Sequence, residues 1–277
     1  MKKHQKFDKK PYFSYHNRDE NDGFPRKKKA YGQHFLRKQS VVDHMIAEVK
    51  IDENTTIMEI GCGDGFLTES ILSQTNCKNL ICYEIDPEWA EVVRNKISDP
   101  RLEIIEKNIL EVEFESLKEK QPLVILANLP YQITFPIFFL FLKHKHLFNE
   151  GVVMIQEEVA QKIVSKTGKS YSATSLFLQN HFEFKLLEKV EPGAFSPPPK
   201  VFSRLIYFKP KSETLQIPQE ENFWKFLKLC FHQPRRTLRN NLVSNHYSLE
   251  TFSEKFLNSR AQQLSIHDFL EAWSKLI

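Results

Sequence analysis

The chain has little of what would tie a fold together covalently or hold it in a bilayer. Its four cysteines, Cys62, Cys77, Cys82 and Cys230, include no C-x-x-C pair and have no histidine at ligand spacing. Reduced packing thiols are therefore expected, not disulfides or zinc ligands. The ten histidines form no metal-binding pattern, so no metal is expected, and His144 and His146 read as solvated polar residues. No stretch reaches the ~20 apolar residues of a membrane span. The longest apolar segment, residues 133–142, is broken by Pro136 and followed by Lys143-His144-Lys145-His146. The opening Met1-Lys2-Lys3-His4-Gln5-Lys6 lacks the apolar core of a secretory signal, so a cytoplasmic protein with no membrane contact is expected. Glycine is scarce as well: there are eight in 277 residues, and three of them fall within residues 61–65.

What is present supports a large core. Hydrophobic residues make up 41% of the chain and include 23 Phe, enough for one large domain or a domain with a smaller companion. The net charge of +4 is unevenly placed. Residues 1–30 hold ten Lys or Arg against four Asp or Glu, leaving the remainder slightly acidic. Residues 1–29, ending in Arg26-Lys27-Lys28-Lys29, read as a flexible basic arm suited to a polyanion or simply solvated.

Beyond the arm, Tyr31-Gly32-Gln33-His34-Phe35-Leu36-Arg37 leads into a helix expected over residues 40–50, with Ser40 as its N-cap. Residues 55–60 read as a buried strand, residues 66–73 as a helix and residues 80–84 as a second strand. Pro87 suits the first position of a helix running through Lys96. Residues 102–105 and 123–126 supply two more strands. Strands alternating with helices imply βαβ units and a mainly parallel, doubly wound α/β sheet.

Two stretches carry chemistry. The first strand runs straight into Gly61-Cys62-Gly63-Asp64-Gly65, where glycines let backbone N–H groups come close to a ligand. Glu84 closes the next strand, 19 residues after Gly65, where a carboxylate can accept both hydroxyls of a ribose. The spacing is G-x-G-x-G and the loop has no Arg or Lys, which favours a nucleoside without phosphates, S-adenosylmethionine foremost, over NAD. The second stretch is Asn128-Leu129-Pro130-Tyr131, just past the apolar run Leu123-Val124-Ile125-Leu126. An amide, a fixed kink and a flat ring at a strand's carboxyl end could hold a planar base bearing an amino group. The same four residues could also be an ordinary strand-to-helix turn in which Asn caps and Tyr packs.

As a set, the motifs resemble those of the ribosomal RNA adenine dimethyltransferases. The matching pieces are Gly32-Gln33-His34-Phe35-Leu36, Glu59-Ile60-Gly61-Cys62-Gly63-Asp64-Gly65, Glu84-Ile85-Asp86, Asn128-Leu129-Pro130-Tyr131, Gln156-Glu157-Glu158-Val159-Ala160, Phe195-Ser196-Pro197-Pro198-Pro199-Lys200-Val201 and Arg235-Arg236-Thr237-Leu238-Arg239-Asn240. The likeness runs from about Tyr31 to the C-terminus. It implies a Rossmann-like seven-stranded methyltransferase sheet over residues 30–210 and a small helical RNA-binding domain over residues 211–277. It also implies S-adenosylmethionine as methyl donor, with His34 and Leu36 closing over it, Gly61 at its methionine part and Glu84 on its ribose. Asn108 stands where the family usually has an Asp facing the cofactor adenine, keeping an acceptor but losing the charge. His34 stands where many members have Asn.

In the reaction so implied, an adenine N6 amine attacks the sulfonium methyl group. Asn128 and the Leu129 carbonyl would accept its N–H hydrogens and Pro130 would fix that carbonyl. Tyr131 would stack on the base, and Phe195 would form the second wall of the slot. Asn128 counts on both sides, lining the cofactor site as well. Glu157 and Glu158 are neighbours on a helix and point apart, so a salt bridge or a helix N-terminal position is expected, not an acid pair. Arg235, Arg236 and Arg239 would contact RNA phosphates, since residues 225–240 hold five Lys or Arg and no acid. The implied substrate is a hairpin near the 3′ end of small-subunit ribosomal RNA in an assembling subunit, met by a monomeric enzyme. Arg235 to Asn240 and Arg260-Ala261-Gln262-Gln263-Leu264-Ser265 favour this substrate over that of the related large-subunit methylase of macrolide resistance. A non-catalytic RNA-binding assembly factor is the alternative from another class.

Overall fold

A computed structural model of the protein describes Pro25, residues 33–243 and residues 248–277. The basic arm, apart from Pro25, and Tyr31 and Gly32 of the first motif lie outside the described residues.

The described chain opens with a two-residue strand β1 (Phe35–Leu36) and helix α1 (Gln39–Ala47). Strand β2 (Thr56–Ile60), α2 (Phe66–Gln74), β3 (Asn79–Glu84), α3 (Pro87–Lys96) and β4 (Leu102–Glu106) then alternate. Next come β5 (Leu123–Asn128), α4 (Thr134–Lys143), β6 (Phe148–Gln156), α5 (Glu157–Val164) and α6 (Ala173–His181). Strands β7 (Phe182–Val190), β8 (Phe195–Ser196) and β9 (Ser203–Pro210) finish the sheets. Helices α7 (Glu220–Cys230), α8 (Leu238–Val243), α9 (Glu254–Asn258) and α10 (Ile266–Trp273) follow. No helix among the described residues is long and apolar enough to cross a membrane.

The large sheet has seven strands in the order β4-β3-β2-β5-β6-β9-β7. Its first five are parallel, whereas β9 enters antiparallel between β6 and β7. β2 and β5 are buried on both faces, which is why they read as unbroken apolar runs. The chain runs outward from β2 to β4 and then returns to place β5 on the other flank of β2. That reversal opens a crevice at the carboxyl ends of β2 and β5, the position where ligands settle in open α/β sheets. Two apolar clusters cover the two faces of the sheet. A third gathers α7 to α10 and draws in Tyr171 and Leu176, so the last helices close their core against α6.

Local chemistry explains where elements begin. Asp86 caps α3 by accepting the Glu88 N–H, and Pro87 occupies the first helical position. The N-cap expected at Ser40 is not there: α1 starts one residue earlier, behind an extended Lys38 with no side-chain cap. The Gln39 amide bonds Asp43 and the Ser70 hydroxyl, drawing Gln39 into the helix. The same helix stops at Ala47 rather than Lys50, whose N–H goes to the Glu150 carboxylate at 2.6 Å. His144 also departs from expectation. It is buried and stacked on Phe114 at 5.1 Å, and its Nδ1 meets Glu115, whereas His146 is more open and meets the same carboxylate. All four cysteines are buried and free.

Candidate active site

The floor of the crevice is the loop after β2. Gly61, Gly63 and Gly65 all have positive φ, at 75°, 53° and 84°. At Gly63 the requirement is doubly strict, because a Cβ there would lie 2.5 Å from the Phe35 ring. The Gly63 N–H donates to Glu84 Oε2 at 3.0 Å, and the Asp86 N–H donates to Glu84 Oε1 at 3.0 Å. Glu84 is thus a buried carboxylate aimed by backbone at the cavity it lines. Burial raises its pKa, and those two backbone N–H groups hold it partly back.

Deeper in the same cavity lies Glu59, which no solvent reaches. Its Oε2 accepts from the Thr68 hydroxyl at 2.8 Å and the Cys82 thiol at 3.1 Å. Its Oε1 has no partner among the described residues. Burial pushes the Glu59 carboxyl up to about 7. A carboxyl so placed favours a ligand that brings a donor or a positive charge.

Asn128 ends β5, and Leu129, Pro130 and Tyr131 turn the chain into α4. The Asn128 Nδ2 donates to the His34 carbonyl at 2.9 Å. This bond fixes the amide's orientation and leaves Oδ1 as its acceptor toward the cavity. The Leu129 N–H is held by the Met154 carbonyl at 3.1 Å. The Tyr131 phenol is 2.6 Å from the buried Ser203 hydroxyl of β9, and the His34 ring stacks over its ring at 6.0 Å. Burial raises the Tyr131 pKa, and the Ser203 contact pulls the other way.

A strap crosses this site. β1 pairs antiparallel with β8, setting Phe35 opposite Ser196 and Leu36 opposite Phe195. His34 Nδ1 meets the Pro197 carbonyl at 2.9 Å, and the Arg37 N–H donates to Ala194 at 2.7 Å. The Phe35 ring rests on Trp89 at 4.7 Å, and Arg37 pairs with Asp64 of the glycine loop. The strap brings His34 and Leu36 into one cavity with Gly61, Glu84, Asn108, Asn128, Leu129, Pro130 and Tyr131.

Some residues singled out in the sequence stand elsewhere. The Phe195 side chain is buried in the core beneath β1, and the cavity lining does not include it. Asn108 does reach the cavity, but its Oδ1 caps the following turn at Leu110 and its Nδ2 bonds Glu111. Arg239 Nη2 donates to both carboxylate oxygens of Glu254, an acid outside the acid-free 225–240 window. Arg235 and Arg236 line a shallow hollow with Gln233 and Pro234. Glu157 sits in the first turn of α5 and is gripped by Arg204 at 2.6 and 2.8 Å, a structural pair.

Three contributors escaped the sequence reading. Ser203 orients Tyr131 from 72 residues away, and no local signal marks it. Phe35 fills the space a side chain would take at Gly63. Ile85 lines the cavity while 45% exposed, and its signal was an apolar residue between Glu84 and Asp86 at a strand's end.

Comparison with known proteins agrees on one kind of molecule. Residues 25–276 match the model of the family described as Ribosomal RNA adenine dimethylase. The chain is 35% identical over 250 residues to the Ribosomal RNA small subunit methyltransferase A of Chlorobium phaeobacteroides, covering 90% of this chain and 91% of that one. It is 37% identical over 252 residues to the protein of the same name from Mesomycoplasma hyopneumoniae, covering 89% and 95%. Among solved structures, a dimethyladenosine transferase from Plasmodium falciparum superposes with a TM-score of 0.73 at 24% identity, covering 88% of this chain and 99% of that one. The 23S rRNA methyltransferase ErmE superposes with a TM-score of 0.67 at 22% identity, covering 87% and 99%. Both structural likenesses speak for the fold alone.

Proposed function

The chain belongs to the ribosomal RNA adenine dimethylase family, and from that premise we propose that it dimethylates N6 of two adjacent adenines in small-subunit ribosomal RNA with S-adenosylmethionine as donor. The small-subunit substrate is supported by the names of the relatives that the chain matches over nine-tenths of its length. The donor is supported by the chemistry of the cavity. The buried, backbone-aimed Glu84 suits vicinal ribose hydroxyls, the Gly63 turn admits close approach, and the Glu59 Oε1, without a partner among the described residues, suits a ligand carrying an ammonium group. His34, Leu36, Gly61 and Asn108 would complete the holding set. When bound, S-adenosylmethionine supplies an electrophilic methyl group on a sulfonium centre.

The protein's part is to make a poor nucleophile adequate. An adenine N6 amine delocalises its lone pair into the ring. Accepting its N–H hydrogens with Asn128 Oδ1 and the Leu129 carbonyl favours a pyramidal nitrogen whose lone pair is localised. Those bonds strengthen as positive charge grows on nitrogen, so they lower the barrier rather than only binding the base. Tyr131, braced by Ser203 and His34, presents a fixed face for stacking. Orientation of this kind supplies up to ~7–11 kcal/mol in favourable cases. The amine proton leaves to solvent after transfer. A base reaching the slot has to be unpaired or extruded from its stack.

The observation that carries the reading is the Asn128 to His34 bond, which turns an ambiguous amide into a committed acceptor beside the cofactor residues. The test is methyl transfer from labelled S-adenosylmethionine to unmethylated small subunits and to large subunits, with the labelled positions mapped. Label on two neighbouring adenines of the small subunit is expected. Label confined to large subunits would replace this substrate with the other.

A further inference from the structure

Beside the cavity, but outside it, two consecutive large apolar residues are left open: Val201 is 44% exposed and Phe202 is 43% exposed. A scattered exposed aromatic needs no explanation. This one is held in place. The Phe202 carbonyl accepts the Glu157 N–H at 3.0 Å, and the next residue, Ser203, pairs with Gln156 of β6 and Val190 of β7. One face of the ring carries the Lys189 ammonium 4.1 Å from its centroid. Lys189 itself lies opposite Arg204, which is anchored by Glu157 and the Leu187 carbonyl.

Position gives the residue its meaning. β9 runs antiparallel to β6, so its first residues lie at the carboxyl edge of the parallel strands, where Asn128 also ends. Ser203 turns its hydroxyl to the Tyr131 phenol. Successive side chains of an extended segment take opposite sides, so a base resting on Phe202 is a different base from the one against Tyr131. The structure thus sets an exposed aromatic face on an anchored backbone, backed by a cation, one residue from the group that braces the adenine slot.

We propose that Phe202 is a second stacking platform for the RNA strand, taking a base next to the target adenine while Lys189 answers the adjoining phosphate. The inference rests on the RNA methyltransferase reading above and deepens it. Stacking on an aromatic face tolerates any base, so the platform holds the strand in register whichever of two neighbouring adenines is in the slot. Lys189 adds a salt-dependent attraction that the ring alone lacks.

The test compares wild type with Phe202→Ala, Phe202→Leu, Phe202→Tyr and Lys189→Gln, using unmethylated small ribosomal subunits as substrate. Loss of one base stack corresponds to a KM increase of about five- to 150-fold. That increase is expected for both Ala and Leu, with a smaller change in kcat. The Tyr variant should restore the wild-type KM, because a flat face and not mere apolar bulk is needed. S-adenosylmethionine affinity, measured by calorimetry, should be the same in all five proteins, since Phe202 does not line the cofactor cavity. Lys189→Gln should flatten the dependence of KM on salt. An unchanged KM in Phe202→Ala, or a Leu variant as good as Tyr, overturns the platform. A wild-type protein that methylates no small-subunit adenine overturns the underlying reading instead, so the two failures are distinguishable.

Discussion

In the proposed reaction, Asn128 is the residue on which the chemistry turns. Its amide has one side committed to the His34 carbonyl and the other to the cavity. Asn128→Ala is expected to lower kcat by about two to three orders of magnitude, the usual scale for losing one preorganised hydrogen-bonding partner of a transition state. S-adenosylmethionine binding should change little. Calorimetry and single-turnover methylation check the two halves, and undiminished turnover would remove the amide from the mechanism. Glu59 makes a different prediction at the same scale. Its folded pKa of about 7 lies above its ordinary 4.5, so folding takes up a proton between those values. The contribution of Glu59 to stability is therefore complete below about pH 4.5, declines as pH rises, and is lost above about 7. The shift corresponds to something on the order of 3 kcal/mol. Glu59→Gln should remove this part of the pH dependence, read as a flatter series of denaturation midpoints across the window. Parallel series for the two proteins would show that Glu59 ionises as an ordinary carboxylate.

At the scale of elements, the strap and the glycine loop fit as a pair. Gly63→Ala would press a methyl group into the Phe35 ring and hold a non-glycine residue at φ 53°. A cost of about 1–3 kcal/mol is expected, together with weaker S-adenosylmethionine binding. Adding Phe35→Leu should recover part of that loss, because the two changes relieve each other. The measurement is a double-mutant cycle on melting and on cofactor Kd, and strictly additive losses would separate strap from loop. How much of this was legible follows from the same distinction between local and distant causes. The start of α3 was legible because two adjacent residues, Asp86 as N-cap and Pro87 at the first helical position, punctuate it. The glycine loop and Glu84 were visible for the same reason: spacing along one chain fixes them. Ser40 misled because the Gln39 side chain has a partner, Ser70, on a different helix, which pulls the helix start back by one residue. His144 misled because its burial depends on Phe114, thirty residues earlier and in contact only after folding. Phe195 was placed by resemblance, and the pairing of β8 with β1 turns its side chain into the core.

Over the whole molecule, the basic surface of the last helices is narrower than a count of charges suggests. Arg239 is already paired with Glu254, whereas no ion pair among the described residues engages Arg235 or Arg236. Replacing Arg235 and Arg236 together with Gln should lower the slope of log Kd against log salt by about 1.5, roughly the value for two phosphate contacts. Arg239→Gln should change it far less. Equal slopes for all three proteins would place the RNA on another face. The order of strands has a consequence for synthesis. β9 lies between β6 and β7, so both keep an unpaired edge until residues 203–210 have left the ribosome. The same strand brings Ser203, and with it the brace on Tyr131. A nascent chain therefore cannot brace Tyr131 before its sheet is closed, and the order of this site arrives with β9, the last strand of the sheet to be made.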